Sequence, residues 1–270
     1  MYDVLKQLLD KEPDYESKLN RAREFLQVLM LKIMFDRGAF DNIAFVGGTA
    51  LRILYGLRRF SEDMDFSLVR KPGYSFDQLV KDLSYELKNY GFRIESDADK
   101  KGVIHSSMVK FPGLPEQLGL SRLTGQKLSI KIEIDTNSPK GWATALTPVT
   151  SSFVFAVKHF DLPSLYATKL HACFFRRYTK GRDFYDLVWY LGKKITPNFV
   201  LLNNAIRQTE KKDLGLNAGN LKEFIMEKAE GVNFAQVKKD VERFLEDKGE
   251  LKLIDKDIIK QMLGAQRQRI

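Results

Sequence analysis

From Ile43 to Phe66 the chain reads IAFVGGTALRILYGLRRFSEDMDF, and that order constrains the fold more than any other stretch. Ile43–Val46 is a short apolar run suited to a buried strand. Gly47 and Gly48 turn the chain, and Thr49 is placed to cap a helix running to about Tyr55. Asp63 to Val69 then returns as a second strand. Strand side chains alternate, so Asp63 and Asp65 share one face while Met64 and Phe66 point to the other. Two carboxylates that close repel each other, and a divalent cation between them removes the repulsion. Magnesium, with manganese as its alternative, takes one or two carboxylates plus substrate phosphates. Glycines without Cβ atoms let phosphate oxygens approach the backbone, and the N-terminus of the following helix aims N–H donors at them. The stretch predicts a triphosphate cradle beside a metal-binding acidic pair, as metal-assisted in-line displacement requires.

The rest of the chain sets this segment in an α+β context. A helix is expected over 15–36, where Leu19, Ala22, Leu26, Leu29 and Ile33 recur at helical spacing. Another is expected over 76–90, and strands over 92–95, 103–111, 127–135 and 153–157. The strand over 127–135 is the clearest, because Leu128, Ile130, Ile132 and Ile134 alternate strictly with polar residues. After Pro163 the patterns become helical. The expected organisation is a mixed-sheet domain over 1–160 and an α-helical lobe over 161–270 that contributes residues to the cleft.

A third carboxylate is expected on the 127–135 strand, where Glu133 and Asp135 share the polar face. Glu133 is favoured as the metal ligand, and Lys131 on the same face meets either phosphate or solvent. Lys169 lies on an apolar helical stripe with Leu162, Leu165, Tyr166, Ala172 and Cys173. An ammonium there must snorkel or find a partner, and a phosphate-bearing cleft supplies one. In GRDFYDLVWYL the apolar stripe is Phe184, Leu187, Val188 and Leu191. At helical spacing Asp183 falls about 90° from its centre and Asp186 about 150°. Asp183 is therefore expected to face a cleft and Asp186 to face water or act as a cap, with Arg182 contacting phosphate or pairing with Asp186. Ser61, two residues before Asp63, is a candidate to help hold the nucleotide.

The net charge is +9, and it is concentrated. Between Lys101 and Arg182 there are 12 Lys and Arg against 4 Asp and Glu, whereas from Thr196 onward there are 14 against 12. The cluster Arg176, Arg177, Lys180 and Arg182 suits a polyanionic acceptor such as RNA. The single cysteine, Cys173, excludes an internal disulfide or a thiolate zinc cluster, and the three histidines form no metal-ligand spacing. No apolar run approaches the length of a membrane span. The opening residues carry acids where a signal peptide has a basic segment, so a cytoplasmic protein is expected.

The segment GGTALRILYGLRRFSEDMDF resembles the signature of the nucleotidyltransferase superfamily with the DNA polymerase β-like fold. More narrowly, it is similar to the AbiEii/AbiGii-type toxins, with GGT-x-L (Gly47, Gly48, Thr49, Leu51) followed by R-x-S-x-D-x-D-F (Arg59, Ser61, Asp63, Asp65, Phe66). LPSLYATKLHACFFRRYTKGRDFYDLVWYL resembles the family's second block, a lysine on a helix followed by R-D-x-x-D-L. The two blocks span roughly residues 40 to 192. The resemblance implies a polymerase β-like core and transfer of a nucleoside monophosphate from an NTP to RNA, at the tRNA 3′ end. It also implies growth inhibition and a neutralising antitoxin partner. Asp63, Asp65, Lys169 and Asp183 are the catalytic residues it implies, and Gly47, Gly48, Thr49, Arg59, Ser61 and Arg182 lie within its motifs as those expected to hold the nucleotide; Lys131 is a further candidate on its position alone. A small-molecule nucleotidyltransferase of the aminoglycoside-modifying type and a non-catalytic nucleotide-binding module are the alternatives.

Overall fold

The computed structural model describes residues 1–265, which divide into two compact units. The first comprises 1–56, 60–138 and 144–159; the second comprises 57–59, 139–143 and the chain from Phe160 onward.

The first unit is α+β. Its helices are α1 (Tyr2–Leu9), α2 (Tyr15–Asp36), α3 (Gly47–Tyr55), α4 (Phe76–Asn89) and the single turn α5 (Leu114–Gln117). Its strands are β1 (Ile43–Val46), β2 (Met64–Leu68), β3 (Ile104–Pro112), β4 (Lys127–Asp135), β5 (Thr144–Val149) and β6 (Phe155–Phe160, whose last residue falls in the second unit). They form one mixed sheet of order β3-β4-β2-β1-β6-β5. Pairing is antiparallel for β1–β2 and β3–β4 and parallel for β2–β4 and β1–β6.

The sequence explains the main elements. The Asp14 carboxylate caps α2 by accepting from the Ser17 N–H at 2.8 Å, and Gly38 turns the chain after it with a φ of +69°. The even-numbered apolar residues of β4, Leu128 to Ile134, are all buried. The same face carries Phe45 and Phe66, whose ring centroids are 5.0 Å apart. Register then sets a row across the opposite face: Val46 on β1 lies opposite Asp65 on β2, and Asp65 opposite Glu133 on β4.

Two local expectations are corrected, and one strand is added. Thr49 does not cap α3. The helix begins at Gly47, with Val46 as a cap that offers no side-chain bond, and Thr49 is inside the first turn. Residues 92–95 form no strand, only a single bridge between Glu95 and Lys110. The edge strand β5 was not anticipated, because TALTPV is mostly exposed and contains a proline, which weakens the strand signal yet suits a sheet edge.

The second unit is helical: α6 (Leu162–Phe175), α7 (Gly181–Lys193), α8 (Phe199–Glu210), α9 (Leu221–Glu230), α10 (Phe234–Val241) and α11 (Lys256–Ala265). Helix α7 is buried along most of its length, from Gly181 to Leu191. At its start a Cβ on Gly181 would lie 2.2 Å from the Val237 carbonyl oxygen. The Gly181 N–H donates to Asp240 at 2.6 Å, so a distant carboxylate satisfies the helix terminus. Among the described residues no helix is long and apolar enough to cross a membrane.

Candidate active site

The glycine turn and the acidic pair meet in the first unit. Gly47 has a φ of +79°, and a Cβ placed on it would lie 2.5 Å from Asp65 Oδ2. The Asp65 carboxylate therefore sits against the first residue of α3, where the helix N-terminus favours negative charge. Any side chain at position 47 would meet both the left-handed backbone penalty and this carboxylate. Gly47→Ala is expected to cost about 1–3 kcal/mol of stability and to displace Asp65. Turnover equal to wild type in an NTP-consumption assay would show that the close approach is not needed.

Two buried side chains fix the backbone that carries the pair. The Thr49 hydroxyl, 1% exposed, donates to the Asp63 carbonyl. Gln27 on α2, also 1% exposed, donates from Nε2 to the Ser61 carbonyl at 3.0 Å and the Glu62 carbonyl at 3.1 Å. Sequence reasoning missed Gln27. The available signal was a lone glutamine in the apolar run EFLQVLML. Gln27→Leu keeps the volume but leaves two carbonyls without this donor, at about 1–3 kcal/mol. It is expected to lower kcat about tenfold with little change in KM for the NTP. Equal loss in both parameters, or none, would make Gln27 a purely structural residue.

Asp63, Asp65 and Ser61 are half-buried at the start of β2 and just before it. Glu133 lies opposite Asp65, whereas Asp135 lies opposite Ser67, one step further along β2. Lys131 Nζ is 2.7 Å from Glu133 Oε1. Its pKa is raised, first by the hydrogen bond to Glu133 and further by the charges of Asp63 and Asp65. The lysine thus lies in the field of three carboxylates, so that corner of the unit is electrostatically suited to a cation. Among the described residues no group of three or more His, Cys, Asp or Glu side chains is gathered to hold a metal ion. In this geometry Glu133 is paired with Lys131. Two carboxylates still fit magnesium, which commonly takes its remaining ligands from substrate phosphates and water.

The residues expected from the second block lie in the second unit, where they form an ion network. Lys169 Nζ is 2.6 Å from Asp183 Oδ1 and 2.7 Å from Asp186 Oδ2. Arg59 is 2% exposed and grips Asp186 with two bonds of 2.6 Å, from Nε and from Nη2. Arg176 Nη1 reaches Asp183 Oδ2 at 3.0 Å. The Cys173 thiol donates to the Asp183 carbonyl at 3.3 Å, and burial pushes its pKa up, away from thiolate reactivity. Burial pulls the Lys169 pKa down, but Asp183 and Asp186 outweigh it and the net direction is upward. Burial likewise raises the Asp183 pKa, and Lys169 outweighs it to leave a lowered value. Lys169 and Asp183 are thus both charged at neutral pH.

This geometry corrects two expectations. Asp186 is fully buried and does not face water. Its partner is Arg59 and not Arg182, whose guanidinium lies 4.5 Å from the Phe244 ring centroid. Arg59 and Lys169 both bond aspartates in this geometry.

A family model described as nucleotidyl transferase AbiEii toxin, type IV TA system, matches residues 29–258. Among solved structures, JHP933 from Helicobacter pylori superposes with a TM-score of 0.53 at 21% identity, covering 92% of this chain and 94% of that one. A candidate nucleotidyltransferase from H. pylori gives a TM-score of 0.50 at 19% identity, covering 92% and 97%. At these identities the likeness is one of fold. No curated protein matches the chain.

Proposed function

Because the chain belongs to the AbiEii nucleotidyl transferase toxin family of type IV toxin–antitoxin systems and is a nucleotidyltransferase, we propose that it transfers a nucleoside monophosphate from an NTP to RNA, at the tRNA 3′ end, and so arrests growth until an antitoxin counters it. The observation that supports this is the close approach of the Asp65 carboxylate to Gly47, the first residue of α3. Asp63 and Asp65 are the residues that hold Mg²⁺ or Mn²⁺, with Glu133 the next carboxylate in register. The metal, when bound, neutralises charge on the reacting phosphates. Gly47, Gly48 and the α3 N–H groups bind the triphosphate. Thr49 and Gln27 hold the Ser61–Asp63 backbone in place. Lys169 and Asp183 act as positioning residues within their ion network. A cytoplasmic location fits the need for NTP and RNA.

The test is label transfer. Purified protein is incubated with Mg²⁺, each α-labelled NTP in turn, and either total tRNA or an aminoglycoside. Label entering tRNA supports the proposal and names the nucleotide. Label entering only the aminoglycoside replaces it with the small-molecule reading, and no label anywhere refutes both.

A further inference from the structure

The second unit has a pocket of about 250 Å³ that the reading above does not use. Phe174 and Phe175 from the end of α6, and Leu214 after α8, give it an apolar wall; Arg176, Lys212 and Lys228 bring three cations against the one acid, Glu210. The aromatic wall is rigidly built. Phe175 stacks between His171 and Phe224, with centroid distances of 5.3 and 5.9 Å and interplanar angles of 18° and 14°. Phe174 meets Phe224 and Phe184 edge-on.

Arg176 joins this pocket to a second feature. Its guanidinium carbon lies 5.7 Å from the ring centroid of Tyr178, and Lys180 Nζ lies 5.8 Å from the same centroid. Tyr178 is 62% exposed, and Arg177 beside it is exposed as well. An exposed aromatic ring flanked by cations, next to an apolar pocket rimmed by cations, alternates stacking surface with phosphate-binding charge. Single-stranded nucleic acid needs that alternation, because every unit offers a π-face and a phosphate. An acidic peptide would match the charges but has no use for the exposed tyrosine ring.

We propose that this pocket binds one nucleotide of a single-stranded RNA, with Arg176, Lys212 and Lys228 on its phosphate and Tyr178 stacked on the neighbouring base. The assignment rests on the reading of RNA as acceptor and gives that acceptor a docking site. Arg176 is also bonded to Asp183, so the bound strand touches the end of the buried ion network.

The test measures docking without chemistry. A fluorescein-labelled single-stranded RNA octamer is titrated with the full chain by anisotropy, in EDTA and without NTP, over a range of salt. Tyr178→Ala is expected to weaken binding at least about fivefold and Tyr178→Phe to restore it, since stacking survives loss of the hydroxyl. The double variant Lys212→Ala, Lys228→Ala is expected to reduce the slope of log Kd against log salt by about 0.7, the share of the one phosphate they hold. No binding by wild type, or binding unchanged in the variants, overturns the proposal. So does a polyglutamate peptide that binds with the same dependence on Tyr178. Docking as expected without label transfer to RNA would remove the RNA-acceptor function and leave the pocket standing. Transfer to RNA with octamer binding indifferent to these variants would remove the pocket alone.

Discussion

Asp65→Asn lowers nucleotidyl transfer about 10²–10³-fold or more, the scale of removing one preorganised electrostatic contact from a reacting centre, while the protein remains folded. The amide keeps the shape that packs against Gly47 but loses the charge proposed to hold a cation. Relief of repulsion from Asp63 and Glu133 offsets part of the lost attraction to Lys131, so the melting temperature is expected to stay within a few degrees of wild type. Single-turnover transfer gives the rate, and Mn²⁺ binding followed by electron paramagnetic resonance gives an independent readout. Wild-type Mn²⁺ affinity together with wild-type turnover in Asp65→Asn would remove the acidic pair from the chemistry.

The second large effect is on stability. Asp186→Ala leaves Arg59 and Lys169 buried without a shared carboxylate, and removing one partner from a buried ion pair typically costs about 3–5 kcal/mol. For a chain of this size that lowers the melting temperature on the order of 10 °C. Replacing both sides of the bidentate pair, Arg59→Met with Asp186→Leu, is expected to cost less than the two single changes added together. Each single change strands a charge that the double change removes. Strict additivity in thermal or urea unfolding would contradict the coupling. The pH dependence has a definite sign. The lowered pKa of Asp183 contributes stability above its unfolded value, lost as pH falls through the folded one. The raised pKa of Lys169 contributes below its unfolded value, lost as pH rises through the folded one. Both contributions are complete around neutrality, so this cluster predicts acid and alkaline unfolding with no step between.

The sequence reveals residues whose neighbours are local and hides those whose partners are remote. Strand β4 could be read directly, because alternate burial leaves a two-residue period. The acidic pair could be read because its partners, the glycine turn and helix α3, lie within twenty residues of it. Asp186 was misplaced because the angular argument assumes a helix with one apolar face. Helix α7 is buried on several sides, which puts Asp186 in the interior, and its counter-ion Arg59 is 127 residues away. Gln27 escaped for a related reason: it bonds the carbonyls of residues 61 and 62, and backbone carbonyls leave no mark on a sequence.

Residues 57–59 belong to the helical unit although the chain on both sides of them belongs to the sheet unit. For inheritance this means that the gene has no clean seam near codon 160. A recombination event there, joining the front of one family member to the back of another, would deliver Asp186 from one parent and its arginine clamp from the other. Such a chimera is expected to keep its stability only where the parents agree at Arg59, the partner of the buried Asp186.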